Sequence, residues 1–439
     1  MAETPTVLLH LSDIHFRHGQ SGTIADLDSD LRDQLERSIG ELYSRLGVIH
    51  GIIVSGDIAF RGSKEEYLIA TEWLKRICDL VGCESENVWT VPGNHDVDRE
   101  VIEKSNLLQL MHKELRDELP NRLDERLRRY LFDDLEAGAI LFRPLQNYNS
   151  FAFQFKCEVS ASQPFWEHNL RLNDGSTLRI RGATSTIVSD RLDDKKKAQL
   201  MIGSVQSLVK ECDGVEHLFV CHHPPDWLTD QDNVDQHLRI RTRIQLFGHK
   251  HVSRIYAMDK SLRIVAGATH PDRNEDNWEP AFNALSIYVK KQNDLRSMEL
   301  CVYPYVWSKD LCFKDVSPEH WSFPLPPWNP PASIQEEAPE VANSIEEAAE
   351  TSTMSPTKGR LVNPARRLTY RFMRLPYQMR IDIAQKLQLI ENEDSDLKDP
   401  QRYEAYFRRA KDRRILANLW EAIERAHGDE PGDNPFLGQ

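Results

Sequence analysis

Long apolar runs are missing from this sequence of 439 residues. No stretch reaches the roughly 20 apolar residues that a membrane-spanning helix needs. Met1 to Thr6 lacks the basic segment that opens a secretory signal, and no long apolar run follows it. The sequence therefore predicts a cytoplasmic protein without a membrane partner.

Cysteine is scarce, and its spacing matches no metal or redox motif. The seven cysteines are odd in number, scattered, and never spaced as C-x-x-C. This pattern indicates reduced thiols rather than a disulfide framework or a zinc knuckle. The G-x-S-x-G nucleophile motif, the Walker loop and the dinucleotide fingerprint are also missing, which argues against three large enzyme classes.

Basic charge is in deficit as well. The chain carries 55 Lys and Arg against 69 Asp and Glu, a formal net charge of -14. This balance argues against indiscriminate nucleic-acid binding, although metal ions and local basic patches can reverse a global trend. A hydrophobic content of 40% with 28% charged residues is typical of a globular protein, and the length fits two or three domains.

What the sequence does contain is a repeated pattern of short apolar runs that end abruptly in polar residues. Helical patterns at about 24–46 and 64–80 separate the first three runs, which predicts an α/β core of buried strands and helices. We also predict a strand at 151–155 and a helix at 195–212. Five of the polar ends carry His, Asp or Asn: Asp13-Ile14-His15, Gly56-Asp57, Gly93-Asn94-His95-Asp96, His222-His223-Pro224 and Gly248-His249-Lys250-His251.

These residue types suggest metal chemistry. Imidazole and carboxylate groups bind Mn, Fe, Zn or Ni ions, and one carboxylate can bridge two ions. Alternation puts Asp13 and His15 on one side of an extended backbone, and likewise His249 and His251. The glycines permit tight turns at strand ends. Any single block is more often a plain polar turn, but five blocks in one chain are hard to explain by coincidence.

The five blocks, in this order, resemble the calcineurin-like metallophosphoesterase superfamily over about residues 5–320. The resemblance implies a fold of two facing β-sheets flanked by helices, a two-sheet β-sandwich in an α/β protein. It also implies two divalent metal ions, with Mn favoured, and a hydroxide held between them that attacks a phosphate ester.

Transferred position by position, the resemblance implies a role for each block. Asp13, His15 and His251 would hold one ion; Asn94, His222 and His249 would hold the other; Asp57 would bridge them. His95 would stabilise the phosphate or protonate the leaving oxygen, and Asp96 would orient His95. The ligand is usually the first residue of an H-x-P segment, which favours His222. His223 would then face the substrate or support the ligands, and Arg17 and His18 are further candidates for substrate contact.

The domain organisation follows from changes in composition. We predict a metallophosphoesterase domain at 1–325 with a helical insertion at about 98–145, an acidic, proline-rich linker at 326–360, and a small all-α domain at 361–428. Basic side chains outnumber acidic ones by five from Arg360 to Arg425. Nucleic-acid contact and a solvated helix face are both open interpretations. A third is an adaptor, since Leu375-Pro376-Tyr377 and the helical patterns after it resemble death-like adaptor domains attached to effectors of bacterial defence systems.

The sequence thus favours a phosphoesterase with a protein partner for its C-terminal domain. Phosphodiesters are favoured over monoesters because His222-His223-Pro224-Pro225 resembles the cyclic-nucleotide phosphodiesterases of the superfamily. Two alternatives stay open: a DNA or RNA nuclease of the same superfamily in a bacterial defence context, and a non-catalytic scaffold that acts through its C-terminal adaptor.

Overall fold

The computed structural model describes residues 4–19, 28–191, 193, 199–271, 279–292, 295–329, 368, 371–372, 375, 377–391, 399–426, 434 and 436. The chain divides into two compact units, Met1–Pro339 and Glu340–Gln439. Most of the predicted linker, residues 330–360, lies outside the described residues, so the boundaries at 325 and 361 stay predictions. Within the described part of the chain, no helix combines the length and apolarity needed to cross a bilayer.

The first sheet of the first unit contains the strands that begin and end its chain. They are β1 Thr6–Leu11, β2 Gly51–Val54, β3 Val88–Thr90, β10 Ala281–Gln292, β11 Leu295–Trp307, β12 Phe313–Asp315 and β13 Glu319–Leu325. Their order is β12-β11-β10-β1-β2-β3, with β13 also paired to β11. Strands β1, β2 and β3 are parallel, so their carboxyl ends share one edge of the sheet.

The second sheet has the order β4-β5-β6-β7-β9-β8. Its strands are β4 Phe165–Arg171, β5 Thr177–Ala183, β6 Val215–Val220, β7 Ile244–Phe247, β8 Arg254–Ala257 and β9 Leu262–Val265. The middle strands β5, β6, β7 and β9 are parallel, whereas β4 and β8 are antiparallel edges. Every residue of β1, β2 and β7 is buried, as expected for strands covered on both faces.

Helices cover these sheets, and the predicted two-sheet α/β architecture is confirmed. The first unit contains α1 Ser29–Leu46, α2 Lys64–Val81, α3 Arg99–Glu103, α4 Asn106–Arg116, α5 Leu123–Arg128, α6 Leu135–Leu141, α7 Gln146–Ala152, α8 Ser204–Ser207 and α9 Gln231–Arg241. Helix α2 begins with a reciprocal cap, in which the Ser63 hydroxyl accepts from the Glu66 amide and the Glu66 carboxylate accepts from the Ser63 amide.

Two predicted elements are wrong. Residues 151–155 are not a strand but the end of α7 and a 3-10 turn, where Phe151 and Phe155 pack with ring centroids 5.3 Å apart. That contact fits helical i,i+4 spacing, which an aromatic-rich segment can hide. The helix predicted at 195–212 is reduced to Ser204–Ser207 among the described residues, since Leu200 instead bridges to Leu228.

The second unit has its own small core. Its helices are α10 Tyr377–Lys386, α11 Asp399–Asp412 and α12 Leu416–Ala426. The buried apolar residues include Phe372, Leu389, Tyr406, Leu419 and Trp420. A separate core of this kind is consistent with an all-α domain that folds around its own apolar residues.

Candidate metal centre

The polar ends of five strands meet at one place in the first unit. The loops after β1 and β2 are joined by backbone hydrogen bonds from Asp13 N–H to the Gly56 carbonyl (3.0 Å) and from Ile14 N–H to the Asp57 carbonyl (2.9 Å). The Gly248 N–H donates to the His222 carbonyl at 2.9 Å, which joins the loops after β6 and β7. These hydrogen bonds hold the Asp13 block against the Asp57 block and the His222 block against the His249 block.

Asp13, His15 and His251 form the first group of potential ligand atoms, which lie within 4.8 Å of one another. His251 Nε2 is 3.1 Å from Asp13 Oδ1. The second oxygen of Asp13 accepts a hydrogen bond from the Ser12 hydroxyl at 2.5 Å. Asp13 is fully buried, so its charge is stabilised by these partners rather than by water.

The second group surrounds the side-chain oxygen of Asn94. His222 Nε2 and His249 Nδ1 each lie 3.2 Å from Asn94 Oδ1, and His223 Nε2 lies 3.1 Å from it. The potential ligand atoms of the three histidines are within 4.8 Å of one another. The structure therefore brings Asn94, His222 and His249 together, as the sequence predicts, and adds His223 to them.

Asp57 lies between the two groups. Its Oδ2 is 3.4 Å from His15 Nε2 in the first group and 3.2 Å from His222 Nε2 in the second. Its Oδ1 accepts the backbone N–H of His95 at 2.8 Å. One carboxylate thus reaches both groups, which is the arrangement that a bridging ligand requires.

The chemistry of these donors fits a divalent cation. His222 Nδ1 is 2.8 Å from the Ser55 carbonyl, which can only accept a hydrogen bond, so in the neutral ring the Nε2 lone pair points at the oxygens of Asp57 and Asn94. A lone pair that faces two oxygens needs a cation between them. Burial lowers the pKa of His222, but the Asp57 carboxylate outweighs burial and raises this pKa to about 9, which shows that the surroundings of Nε2 favour positive charge.

The same competition acts on Asp57. Burial alone would raise the pKa of this carboxyl, but the charges of His222 and His95 beside it hold the pKa well below its usual range. Asp57 is therefore ionised, as a metal ligand must be.

His95 is fixed by the loop that follows Asp57. Its Nδ1 donates to the Phe60 carbonyl at 2.8 Å, and its ring stacks on the Phe60 ring with centroids 5.3 Å apart. The carbonyl fixes the tautomer and leaves Nε2 for chemistry. His95 keeps partial exposure, unlike the buried His222 and His223.

The prediction that Asp96 contacts the His95 ring is wrong. The Asp96 carboxylate accepts from the amides of Ile58, Ala59 and Gly93 and from the Tyr67 hydroxyl at 2.9 to 3.2 Å. Burial, together with Asp57, raises the pKa of Asp96 to about 6. Asp96 therefore holds two ligand loops together. The Phe60 carbonyl, and not Asp96, orients the His95 ring.

The motif glycines have a steric role that sequence reasoning missed. A Cβ on Gly56 would lie 2.6 Å from His222 Nδ1, one on Gly93 would lie 2.5 Å from the Asp57 amide nitrogen, and one on Gly248 would lie 2.9 Å from Asp13 Oδ2. Each glycine thus leaves room for a ligand of another block. Only Gly56 among the three also needs its positive φ, of 98°.

The extended backbone predicted for the D-x-H and H-x-H blocks is also wrong. Asp13 and His15 both have φ of 53°, and His249 and His251 have φ of 71° and 55°. This left-handed conformation directs His249 to the second group and His251 to the first. Left-handed residues other than glycine are uncommon and tend to cluster at functional sites.

One candidate substrate contact, Arg17, lies near His95. The Arg17 guanidinium carbon is 3.8 Å from the centre of the Phe60 ring, which in turn stacks on His95. His18 is exposed next to it. On the other side, Trp227 packs edge-on against His249 with centroids 4.1 Å apart. The roles of Arg17 and His18 in substrate contact stay predictions.

Some supporting groups gave no sequence signal. The carbonyls of Ser55 and Phe60 orient two histidines, and a backbone carbonyl belongs to every residue type. Ser185 Oγ lies 2.7 Å from His223 Nδ1. It follows the apolar end of β5, so the strand-then-polar pattern could have identified it.

Comparison with known proteins finds matches at the level of families. A model of the calcineurin-like phosphoesterase family matches residues 6–253. A model of the GTPase-associated adaptor domain matches residues 364–425, in agreement with the adaptor predicted at the C-terminus.

Individual relatives are distant. Uncharacterized metallophosphoesterase-like protein YydB of Bacillus subtilis (strain 168) is 30% identical over 118 residues, which cover 27% of this chain and 23% of YydB. The match thus spans less than a quarter of that relative's length. Vacuolar protein sorting 29 from Cryptosporidium parvum has a TM-score of 0.33 at 11% identity, covering 73% of this chain and all of that one. Sulfate thiohydrolase SoxB from Thermus thermophilus has a TM-score of 0.31 at 12% identity, covering 73% of this chain and 57% of that one. These structural likenesses carry no argument about function.

Proposed function

The chain belongs to the calcineurin-like phosphoesterase family, and we propose that it hydrolyses phosphate esters with two divalent metal ions, phosphodiesters in preference to monoesters. The observation that carries this proposal is the position of Asp57, whose Oδ2 lies 3.4 Å and 3.2 Å from one histidine of each ligand group. A single shared carboxylate favours two ions that act together over one isolated ion.

Each group would hold one ion. Asp57 would bridge both ions. The other ligands would be Asp13, His15 and His251 for the first ion and Asn94, His222 and His249 for the second. When bound, two such ions would neutralise the phosphate charge and lower the pKa of a water molecule that attacks phosphorus. The donors suit Mn, Fe, Zn and Ni, and we retain Mn as the favoured ion.

His95 would act on the leaving group. Since its Nδ1 donates to the Phe60 carbonyl at 2.8 Å, a proton on Nε2 can be passed to the departing oxygen. The Phe60 carbonyl and the stacked Phe60 ring would hold this imidazole in its orientation.

Hydrolysis of two model esters tests the proposal. Bis-p-nitrophenyl phosphate and p-nitrophenyl phosphate should be assayed with Mn²⁺ and with chelator, for wild type and for Asp57→Asn. The matched control is Asp310→Asn, an exposed carboxylate in the turn between β11 and β12. We expect metal-dependent cleavage of the diester that only Asp57→Asn abolishes. No cleavage of either ester by folded, metal-loaded wild type would refute the proposal, and preference for the monoester would overturn the substrate class.

A nuclease acting on DNA or RNA is the alternative within the enzyme class. The excess of basic residues in the C-terminal segment would suit contact with nucleic-acid phosphates. Several described arginines of that segment are paired within their own unit. Arg371 pairs with Glu424 at 2.7 Å, and Arg409 and Arg413 pair with Glu391 at 3.1 Å and 2.7 Å. Paired charges favour a structural role for these arginines over phosphate contact.

The C-terminal unit would recruit a protein. Its match to the GTPase-associated adaptor domain makes a GTPase-containing partner the class to test first. A chain truncated after Pro330 separates this role from hydrolysis. We expect the truncated protein to retain diester cleavage and to lose partner binding. Full activity loss would refute the separation, and an inactive full-length chain that still binds a partner would support the scaffold alternative.

A further inference from the structure

His223 occupies a position that the proposed ligand set does not use. Its Nε2 lies 3.1 Å from Asn94 Oδ1, as close as the nitrogens of His222 and His249. We propose that His223 is an additional ligand of the second ion, bound through Nε2, and that Ser185 positions it for this role. The inference rests on the proposed two-metal function and names a residue of that site.

Three imidazole nitrogens around one amide oxygen are difficult to explain as hydrogen bonds. An amide oxygen has two lone pairs and so accepts from about two donors. His222 Nε2 also faces Asp57 Oδ2 at 3.2 Å, and its Nδ1 is directed at the Ser55 carbonyl, so this ring is not committed to Asn94. A cation among the nitrogens would satisfy Asn94 and all three rings at once.

Burial argues against the alternative that His223 touches substrate. The residue has 0% exposure, and its ring packs against those of His222 and His249, with centroids 4.6 Å and 4.3 Å away. A buried ring of this kind offers no surface to a phosphate ester. A metal ion needs only the space that the ligand atoms already enclose.

Ser185 is the group that would set the tautomer of His223. Its Oγ lies 2.7 Å from Nδ1 and also accepts the His223 backbone N–H at 3.4 Å. When Nδ1–H donates a hydrogen bond to the hydroxyl oxygen, Nε2 keeps its lone pair for the ion. Ser185 is fully buried after β5, next to Thr184, whose N–H is held by the Gln206 side chain at 2.8 Å. The serine is therefore attached to the second sheet and not to a free loop.

An extra ligand would make the two sites unequal. The second site would then offer three imidazoles, Asn94 and Asp57, against two imidazoles and two carboxylates in the first. Imidazole-rich sites favour Zn, Fe or Ni over harder ions such as Mg²⁺. We therefore expect the second site to be the tighter zinc site.

Metal binding without substrate tests the inference. Zinc affinity and stoichiometry should be measured by titration and elemental analysis for wild type, His223→Gln and Ser185→Ala, with His237→Gln as a control histidine on α9 outside both groups. We expect His223→Gln to weaken the tighter zinc site by more than about 100-fold and Ser185→Ala to weaken it by about 10-fold. His223→Gln and Ser185→Ala should leave the affinity of the weaker zinc site unchanged. His237→Gln should leave the affinity of both zinc sites unchanged.

Cobalt substitution gives a second readout, since the visible absorption of Co²⁺ reports its ligands directly. We expect His223→Gln to change the spectrum of the tighter site. Unchanged zinc affinity and cobalt spectrum in a folded variant would overturn the inference. If His223→Gln does not fold, unchanged zinc binding in Ser185→Ala overturns it instead. Wild type that binds two ions but cleaves neither ester would refute the proposed function alone.

Discussion

The substitution Gly93→Ala isolates the steric requirement of the site. Gly93 has a φ of -103°, which alanine adopts without strain, so only the added methyl group matters. That Cβ would lie 2.5 Å from the Asp57 amide nitrogen and 2.7 Å from its Cγ, whereas real Cβ contacts stay above 3.0 Å. The backbone of one loop must therefore move by about 0.5 Å, the tolerance within which such sites are held.

Two magnitudes follow from this shift. A displacement approaching 1 Å at a reacting centre costs on the order of 100-fold in rate, so we expect kcat/KM for bis-p-nitrophenyl phosphate to fall by about 10- to 100-fold. Overpacking of a buried contact should lower the free energy of unfolding by about 1–3 kcal/mol. Both should be measured with Mn²⁺ present, by initial rates and by urea denaturation.

Gly40→Ala is the matched control. Gly40 lies in α1, where its Cβ would meet Leu80 Cδ1 at 3.5 Å, an ordinary contact. Alanine is the better helix former, so this variant should gain up to about 1 kcal/mol and keep full activity. A Gly93→Ala protein with wild-type rate and metal content would refute the steric account of the motif glycines.

Three further predictions concern the proposed acid His95, the metal ions and the buried carboxyl of Asp193. His95→Asn should lower kcat by about 100- to 10,000-fold while both ions stay bound, and loss of metal in that variant would contradict its role. Chelation should destabilise the fold, because ions at 100 times their Kd add about 2.7 kcal/mol, and a thermal melt unchanged by chelator would exclude tight sites. Burial raises the pKa of Asp193 to about 7 in spite of Arg116 at 3.2 Å. A raised pKa means that stability present below about pH 4 is lost as pH rises toward 7, at up to about 1.4 kcal/mol per pH unit. Urea melts from pH 4 to 8 should show this slope in wild type and not in Asp193→Asn.

The sequence predicted the architecture because its signals are local. Strands such as Thr6–Leu11 and Gly51–Val54 are buried along their whole length, and each ends where a ligand block begins. Parallel pairing then brings those ends to one edge. The wrongly predicted elements have local sequence patterns that fit more than one structure. The aromatic run at 151–155 suits a strand or a helix, and only the packing of Phe151 on Phe155 distinguishes the two.

The candidate site was only partly accessible to sequence reasoning. Residue types predicted which side chains come together, but not how each one is oriented. The partners that orient His222 and His95 are the carbonyls of Ser55 and Phe60, which any residue could provide. Asp96 was misassigned for the same reason, because five hydrogen bonds to amides and to Tyr67 depend on the fold and not on the motif.

Backbone conformation explains the spacing of the ligand blocks better than strand alternation does. Asp13, His15, Asp57, His249 and His251 are all left-handed, a conformation that costs about 1 kcal/mol or more for each non-glycine residue. Hydrogen bonds between loops hold it in place, including two from the Asp13 segment to the Asp57 carbonyl at 2.9 Å and 3.0 Å. Five of the nine non-glycine residues with positive φ in the described part of the chain thus lie in the ligand blocks. Bound cations would stabilise these blocks directly, and metal binding would then be coupled to folding.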